Sequence, residues 1–292
     1  MPKKAVVSEK AKPVGEALVV VKGGGDLATG IAHRLFRSGF PVLVTEAERP
    51  TMVRRTVSFA ECIYAGRVEV EGVAAERAGG STPGEKLARA RALLAEGVVP
   101  VVVDPAAEIV RPARPAALVD AILAKRNLGT RMDQAEVVVG VGPGFTAGVD
   151  VHAVVETARG HHIGRVILEG SAEPDTGVPG PIGGHTTERL LRATAAGRFE
   201  PLAAIGDVVE AGEVVARVGG REVRAQIKGV LRGLLRGGIE VTEGFKVGDV
   251  DPRARPEHCF TISDKSRAVG GGVLEAIMMF LFGVQSAAER TH

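Results

Sequence analysis

Gly23-Gly24-Gly25-Asp26-Leu27-Ala28 stand where a β-branched run ends and a helix-periodic run begins, which is where a diphosphate can be held. Gly23 would permit the tight turn, Gly25 would let a pyrophosphate approach the main chain, and Ala28 would let helix and strand pack closely. The phosphate would meet N–H groups at a helix N-terminus, where no intrahelical acceptor competes and the dipole favours an anion. Glu46 ends the next β-branched run and is placed to accept hydrogen bonds from a ribose diol. A carboxylate there repels a 2′-phosphate, so an unphosphorylated ribose, as in NAD, is expected over NADP. Arg54, with Arg49 and Arg55, works against that preference, because guanidinium groups hold phosphate well. The competing reading is a glycine turn that only packs tightly and binds nothing.

A second glycine turn, Gly140-Val141-Gly142-Pro143-Gly144-Phe145, closes another valine run. Ligands lie beyond the carboxyl ends of parallel strands, so Gly142 and Gly144 are expected to face the same crevice. Pro143 removes one donor and makes this a poorer cradle. Asp150, His152, Glu156, His161 and His162 fall close together but lack the paired i, i+4 histidines of a metallohydrolase, so no metal is expected. His152 is a candidate acid or base, since imidazole titrates near neutrality. Asp26 is a second candidate, or simply the cap of the first helix. Neither assignment fixes a reaction. Cys62 and Cys259 have no metal-ligand spacing and read as reduced thiols.

The elements that must position these residues follow from apolar periodicity. Ala17–Val21 reads as a strand, Leu27, Ile31 and Leu35 as one face of a helix, and Pro41–Val44 as a second strand. Further helices are expected at Val57–Tyr64, Glu85–Glu96, Ala116–Lys125, Thr146–Arg159 and Glu188–Ala196. Strands are expected at Arg67–Val73, Val98–Asp104, Ala135–Val141 and Arg165–Glu169. Gly170–Gly184, rich in Gly and Pro, reads as a linker or lid. After Phe199 short valine-rich segments alternate with glycine turns, and Val209–Val215 resembles Val241–Val247. That repeat suggests a small barrel similar to biotinyl and lipoyl carrier domains. Its central hairpin, Gly219-Gly220-Arg221, has no lysine, and Lys228 sits too close to Gly229 to replace one, so no covalent biotin or lipoate is expected.

The expected fold is therefore α/β: a flexible arm over 1–16, a Rossmann-like mostly parallel sheet over 17–198 that binds a nucleotide, and a smaller biotinyl/lipoyl-like β-barrel over 199–256 without the carrier lysine. A C-terminal segment and helix occupy 257–292. The tail helix, with Val273, Leu274, Ile277, Met278 and Leu281, is too apolar to stand alone and should pack back on the first domain or on a second subunit, which keeps a homo-oligomer among the expectations.

The 292 residues are enough for about two domains. A net charge of +2, no Trp and a single Tyr argue against nucleic acid as a partner. Ala276–Val284, the most apolar tail segment, is too short to span a bilayer, so no membrane is expected. Met1–Glu16 lacks the long apolar core of a signal peptide, which reads as a cytoplasmic protein.

Several long segments carry a family likeness in their content and order: GGGDLATGIAHRLFRSGFPVLVTE, RRTVSFAE, VGPGFTAGVDVHAVVETARGHHIGRVI, GVLRGLL, GDVDPR and ISDKSRAVGGGVLEAI. Together they resemble the YqeB-type accessory proteins of selenium-dependent molybdenum hydroxylase systems, with a Rossmann part similar to that of xanthine dehydrogenase accessory proteins. The resemblance implies a maturation factor whose partners are an apo molybdenum hydroxylase or other maturation factors. Its small-molecule ligand would be a nucleotide or dinucleotide, NAD-like or the nucleotide part of a molybdenum cofactor dinucleotide. Two alternatives stay open: an NAD-dependent oxidoreductase and a nonenzymatic docking protein.

Overall fold

The computed structural model describes residues 13–283. Of the arm expected over 1–16, residues 1–12 lie outside the described residues, as do 284–292 of the C-terminal segment. The first valine run forms strand β1 (Val19–Lys22), buried throughout. Gly25 caps helix α1 (Asp26–Arg37), whose Leu27, Ile31 and Leu35 recur every fourth residue and are buried together. Strand β2 (Val42–Glu46) returns parallel to β1, with Val20 opposite Leu43.

Two 3-10 turns, Arg55–Val57 and Phe59–Glu61, lead into α2 (Cys62–Ala65) where one helix over Val57–Tyr64 was expected. The hairpin β3 (Arg67–Val70) and β4 (Val73–Arg77) follows. Helix α3 (Pro83–Ala95) starts at Thr82, whose hydroxyl accepts the Glu85 N–H, with proline at its first position. Next come β5 (Val99–Val103), α4 (Val110–Ala113), β6 (Ala117–Asp120), β7 (Val137–Val141), β8 (Ala153–Val155) and β9 (Val166–Ile167).

These strands form one nine-stranded sheet in the order β3-β4-β5-β2-β1-β6-β7-β8-β9. The interior pairs are parallel, and β3 and β9 run antiparallel at the two edges. Alternation sends Val19, Val21, Val42 and Val44 to the face covered by α1, while Val20, Leu43 and Leu118 meet Leu87, Ala90 and Leu93 of α3 on the other.

The expected Rossmann-like mostly parallel sheet is corrected to this mixed sheet. The physical reason lies between 114 and 165, where the expected crossover helices do not form. Ala116–Lys125 instead holds strand β6 (Ala117–Asp120) and a loop; the strand is wedged between β1 and β7, so hydrogen bonds to both neighbours override the helix propensity of its Ala and Leu. Thr146–Arg159 is a loop and β8, and Glu188–Ala196 is a 3-10 turn followed by strand β10 (Leu190–Arg192).

From β10 onward the chain is antiparallel: β11 (Gly197–Pro201), β12 (Val208–Val209), β13 (Val214–Val218), β14 (Arg221–Arg224), β15 (Gly229–Leu234), β16 (Glu240–Val241) and β17 (Lys246–Asp251). The repeated segments are indeed equivalent, each a strand end, a turn with a positive-φ glycine (Gly212, Gly244) and a strand start. The expected β-barrel is nevertheless corrected to two separate four-stranded sheets, β10-β17-β15-β12 and β14-β13-β11-β16, sharing a core of Leu191, Phe199, Val215, Leu231 and Val250. The strands that would close a barrel, β12 and β16, are two residues long and end one edge of each sheet.

Two helices complete the described chain, α5 (Glu257–Phe260) and α6 (Asp264–Phe282). Ser263 caps α6 by accepting the Ser266 N–H. Helix α6 lies against α1 and the β7–β9 end of the sheet, where Val269, Val273, Ala276 and Ile277 are buried. Glycines set this approach: a methyl on Gly30 would sit 2.5 Å from Ser266 Cβ, and one on Gly270 would sit 3.1 Å from the Gly30 carbonyl oxygen. Gly30→Ala is therefore expected to lower the unfolding free energy by about 1–3 kcal/mol through overpacking. Gly271→Ala, where a methyl meets nothing within 4 Å, is expected to raise it by about 0.5–1 kcal/mol. Urea unfolding of both variants checks the contrast, and equal effects would refute this account of the helix crossing.

Candidate functional site

A cleft of about 710 Å³ opens beyond the carboxyl ends of the parallel strands, bounded by the first turns of α1 and α6 and, opposite, by β10, β15 and β17. Its lining carries eight Lys or Arg against four Asp or Glu, so it is an anion-attracting cavity in a chain of net charge only +2.

The glycine turn leads into the cleft at Asp26, the first residue of α1, which lines it. Gly23 has φ +92°, and a methyl there would lie 3.0 Å from the Ala121 carbonyl oxygen. Gly24 is as tight against the Ala60 nitrogen, whereas a methyl on Gly25 meets nothing within 4 Å and no side chain caps α1. Leu27 and Ala28 are buried in the core beneath the turn. Thr29, which sequence reasoning did not single out, fastens the turn from behind: its hydroxyl donates to the Gly24 carbonyl at 3.0 Å and accepts the Phe59 N–H at 2.8 Å.

Glu46 reaches the same turn from β2. Its carboxylate accepts the Gly24 N–H and the Ala47 N–H, each at 2.7 Å. Burial pushes its pKa up, against the pull of those two donors. The acid expected to grip a ribose is thus seated on the turn itself.

Arg54 is 5% exposed and ties three parts of the chain together. It donates to the His258 carbonyl at 2.8 Å and the Thr261 carbonyl at 3.1 Å, and it pairs with Asp26 at 3.4 Å, while its Nε has no partner. Burial lowers its pKa, with Asp26 opposing. Asp26 and Arg54 both line the cleft. Beneath them Lys22 Nζ reaches Asp120 at 2.8 Å and Thr130 at 2.6 Å, a closed buried network that joins the ends of β1 and β6.

The opposite wall is ionic. Asp249 accepts from Arg189 at 2.8 Å and from Arg232 Nε at 2.7 Å, and Asp251 accepts from Arg253 at 2.6 Å. Burial pushes Asp251 up, but the Arg253 hydrogen bonds and the charges of Arg232 and Arg253 outweigh it and bring the carboxyl to about 2.

The other sequence candidates lie elsewhere. A methyl on Gly142 would strike Thr157 Oγ1 at 2.7 Å and one on Gly144 the Arg126 nitrogen at 2.6 Å, so both glycines accommodate neighbouring chain, and only Pro143 between them lines the cleft. His152 precedes β8, at the amino end of the strands. Its Nδ1 accepts the Val138 N–H at 2.9 Å, its ring stands edgewise to Phe280, and burial lowers its pKa. Glu156 is buried and accepts the Thr157, Ala158 and Glu173 N–H groups. Asp150 accepts the Thr146 N–H, and His161 and His162 stand edge to face. No group of three His, Cys, Asp or Glu side chains among the described residues is arranged to hold a metal. Both cysteines are buried, and burial pushes the Cys62 thiol up to about 12.

Sequence reasoning missed Arg159, Arg189, Arg232 and Lys265 in this cleft. The one local signal was Lys265 in the first turn of α6, where the helix dipole opposes a cation.

No family model matches the chain. It is 48% identical over 285 residues to the uncharacterized protein YqeB of Escherichia coli strain K12, an alignment that takes in 97% of this chain and 52% of that one. The chain is a homologue of YqeB. It spans about half the length of that curated relative. Solved structures overlay on it with much lower agreement. TcdA (CsdL) shares 18% identity over 47% of this chain and 53% of its own, at a TM-score of 0.26. An aspartoacylase family protein from Mesorhizobium loti shares 14% over 82% and 86%, at 0.27. The ectoine utilization protein EutE from Ruegeria pomeroyi shares 12% over 80% and 84%, at 0.24. At these scores the overlays assign the chain neither a fold nor a chemistry. Among the described residues no helix is long and apolar enough to cross a membrane.

The Asp251 shift gives a pH signature. Its pKa falls from 3.8 to about 2 on folding, so its contribution to stability is present above pH 3.8 and is lost as the pH drops towards about 2. The thermal midpoint of the wild-type chain should fall across that window, and Asp251→Asn should flatten the fall. An unchanged slope in the variant would refute the assignment.

Proposed function

We propose that this YqeB homologue is an accessory protein that holds a phosphorylated ligand of the nucleotide class in the basic cleft and serves a molybdenum hydroxylase or its maturation partners. The observation that carries the ligand is that Arg54, Arg189 and Arg232 line one cleft with Asp26 of the first turn of α1, a turn that no side chain caps. Free N–H groups and fixed guanidinium groups are the donors a phosphate requires. The molybdenum-hydroxylase side of the proposal rests on the resemblance of the sequence segments.

Binding rather than turnover is the reading the side chains favour. Of the acid-base candidates, His152 lies at the far end of the strands and Asp26, in the cleft, is paired with Arg54, while the cysteines are buried with raised pKa values. A hydride-transferring enzyme would need such a group beside the nicotinamide.

Isothermal titration of the chain with NAD, CTP and molybdopterin cytosine dinucleotide tests this. At least one should bind, with affinity falling as salt rises. Gly25→Val leaves the fold intact, because the position has room and φ −65°, and is expected to weaken binding at least about tenfold by covering the first turn. Absence of heat with all three ligands would overturn the ligand class, and unchanged affinity in the variant would move the ligand off α1.

A further inference from the structure

Lys265 occupies the second position of α6 and lines the cleft half-buried. Among the described residues its ammonium makes no hydrogen bond and no ion pair. Lys246 is the other cleft cation in that condition, but it is exposed, so its charge is not desolvated. The remaining cleft cations have partners: Lys125 pairs with Asp175, Arg159 with Asp264, and Arg189 and Arg232 with Asp249, while Arg192 donates to the Gly244 carbonyl.

The balance of local influences opposes a charge on that amine. Burial lowers its pKa first, and the neighbouring Arg159 lowers it further. The N-terminal turn of α6 is the positive end of the helix dipole. The carboxylates close enough to be felt are already engaged: Asp26 by Arg54, Glu156 by three main-chain N–H groups, and Asp175 by Lys125. Packing does not explain the residue either, because an amine without a partner contributes nothing that its stem alone would not. An anion in the cleft offsets these costs, giving the ammonium a counter-charge and the helix end a favourable neighbour.

We infer that Lys265 is a ligand-binding residue whose ammonium pairs with the diphosphate of the ligand, at the point where the first turns of α1 and α6 face the same cavity. This deepens the proposed function and rests on its basic cleft. Arg54 is the second cation of the pair of contacts, nine-tenths buried and held by two carbonyls with its Nε free of partners.

Pyridoxal 5′-phosphate, an aldehyde that carries its own phosphate, reads the amine directly on the intact chain. The neutral amine attacks the aldehyde carbon, water leaves as the imine forms, and borohydride delivers hydride to fix a secondary amine that peptide mass spectrometry locates. Lys265 should be labelled several-fold faster than exposed Lys246, and inorganic pyrophosphate should suppress labelling at Lys265 while leaving Lys228, outside the cleft, unchanged. In calorimetry Lys265→Met, which keeps the stem, should weaken pyrophosphate binding at least about tenfold, the loss expected for one charge-assisted hydrogen bond. Labelling of Lys265 no faster than Lys246, or indifferent to pyrophosphate, would overturn the inference even if nucleotides bind. Pyrophosphate protection at Lys265 with no nucleotide bound would uphold it and sink the nucleotide class instead.

Discussion

A buried parallel strand has to be covered on both faces, and the chain between β6 and β8 supplies no α-helix to do so. The cover comes from the far end of the sequence, as α6, and it can lie close enough only because Gly30 and Gly270 remove side chains from the crossing with α1. Much of the site depends on that one substitution of a distant helix for a local one. Because α6 runs beside α1, both helices begin at the cleft, and Ser263 and Lys265 arrive beside Asp26 and Arg54. The C-terminal segment that leads into α6 is in turn held by the Arg54 guanidinium through the His258 and Thr261 carbonyls. The cleft and the packing of the sheet are thus consequences of the same crossing.

The opposite wall shows how the chain keeps cations in place without a ligand. Asp249 and Asp251 are almost entirely buried, and each is shared among guanidinium groups that line or approach the cleft. Buried ion pairs of this kind are weak evidence for stability, since desolvation offsets most of the Coulombic gain. What they do supply is fixed geometry: Arg189 and Arg232 face the cavity in a set position, with little side-chain entropy left to lose when an anion arrives. Lys265 stands outside that arrangement, and its isolation is informative because every neighbouring cation of comparable burial has been given a partner.

The sequence-legible part of this molecule is the part governed by neighbours in the chain. The turn from β1 into α1, the Thr82-capped α3, the valine runs of β5 and β7, and the glycine pair at the tip of the β13–β14 hairpin all follow from local periodicity and backbone demands. Ala116–Lys125 misled because alanine and leucine favour helix in isolation, while the slot between β1 and β7 decides the outcome. The repeat of Val209–Val215 in Val241–Val247 was visible, but whether two hairpin units close into a barrel depends on the length of β12 and β16, which the repeat does not specify. At the site, Asp26 and Arg54 were legible because they adjoin the glycine turn. Arg189, Arg232 and Lys265 were not, since they reach the cleft from elements whose placement is set by tertiary packing.

Glu46 gives the remaining step. The sequence places this acid to accept hydrogen bonds from a ribose diol, and in the structure it spends two lone pairs on the Gly24 and Ala47 N–H groups. A carboxylate has about four acceptor sites, so two remain after the turn is served, and holding the turn does not exclude holding a hydroxyl. The hydrogen bond from the Gly24 N–H fixes the Gly23–Gly24 peptide plane, and Thr29 fixes the plane that precedes Gly25 through the Gly24 carbonyl. With one glycine pinned at both its donor and its acceptor, the next is left open and uncapped in a conformation that needs no rearrangement to receive an anion. The acid's first task is to shape the turn, and any contact with a sugar is added to that task.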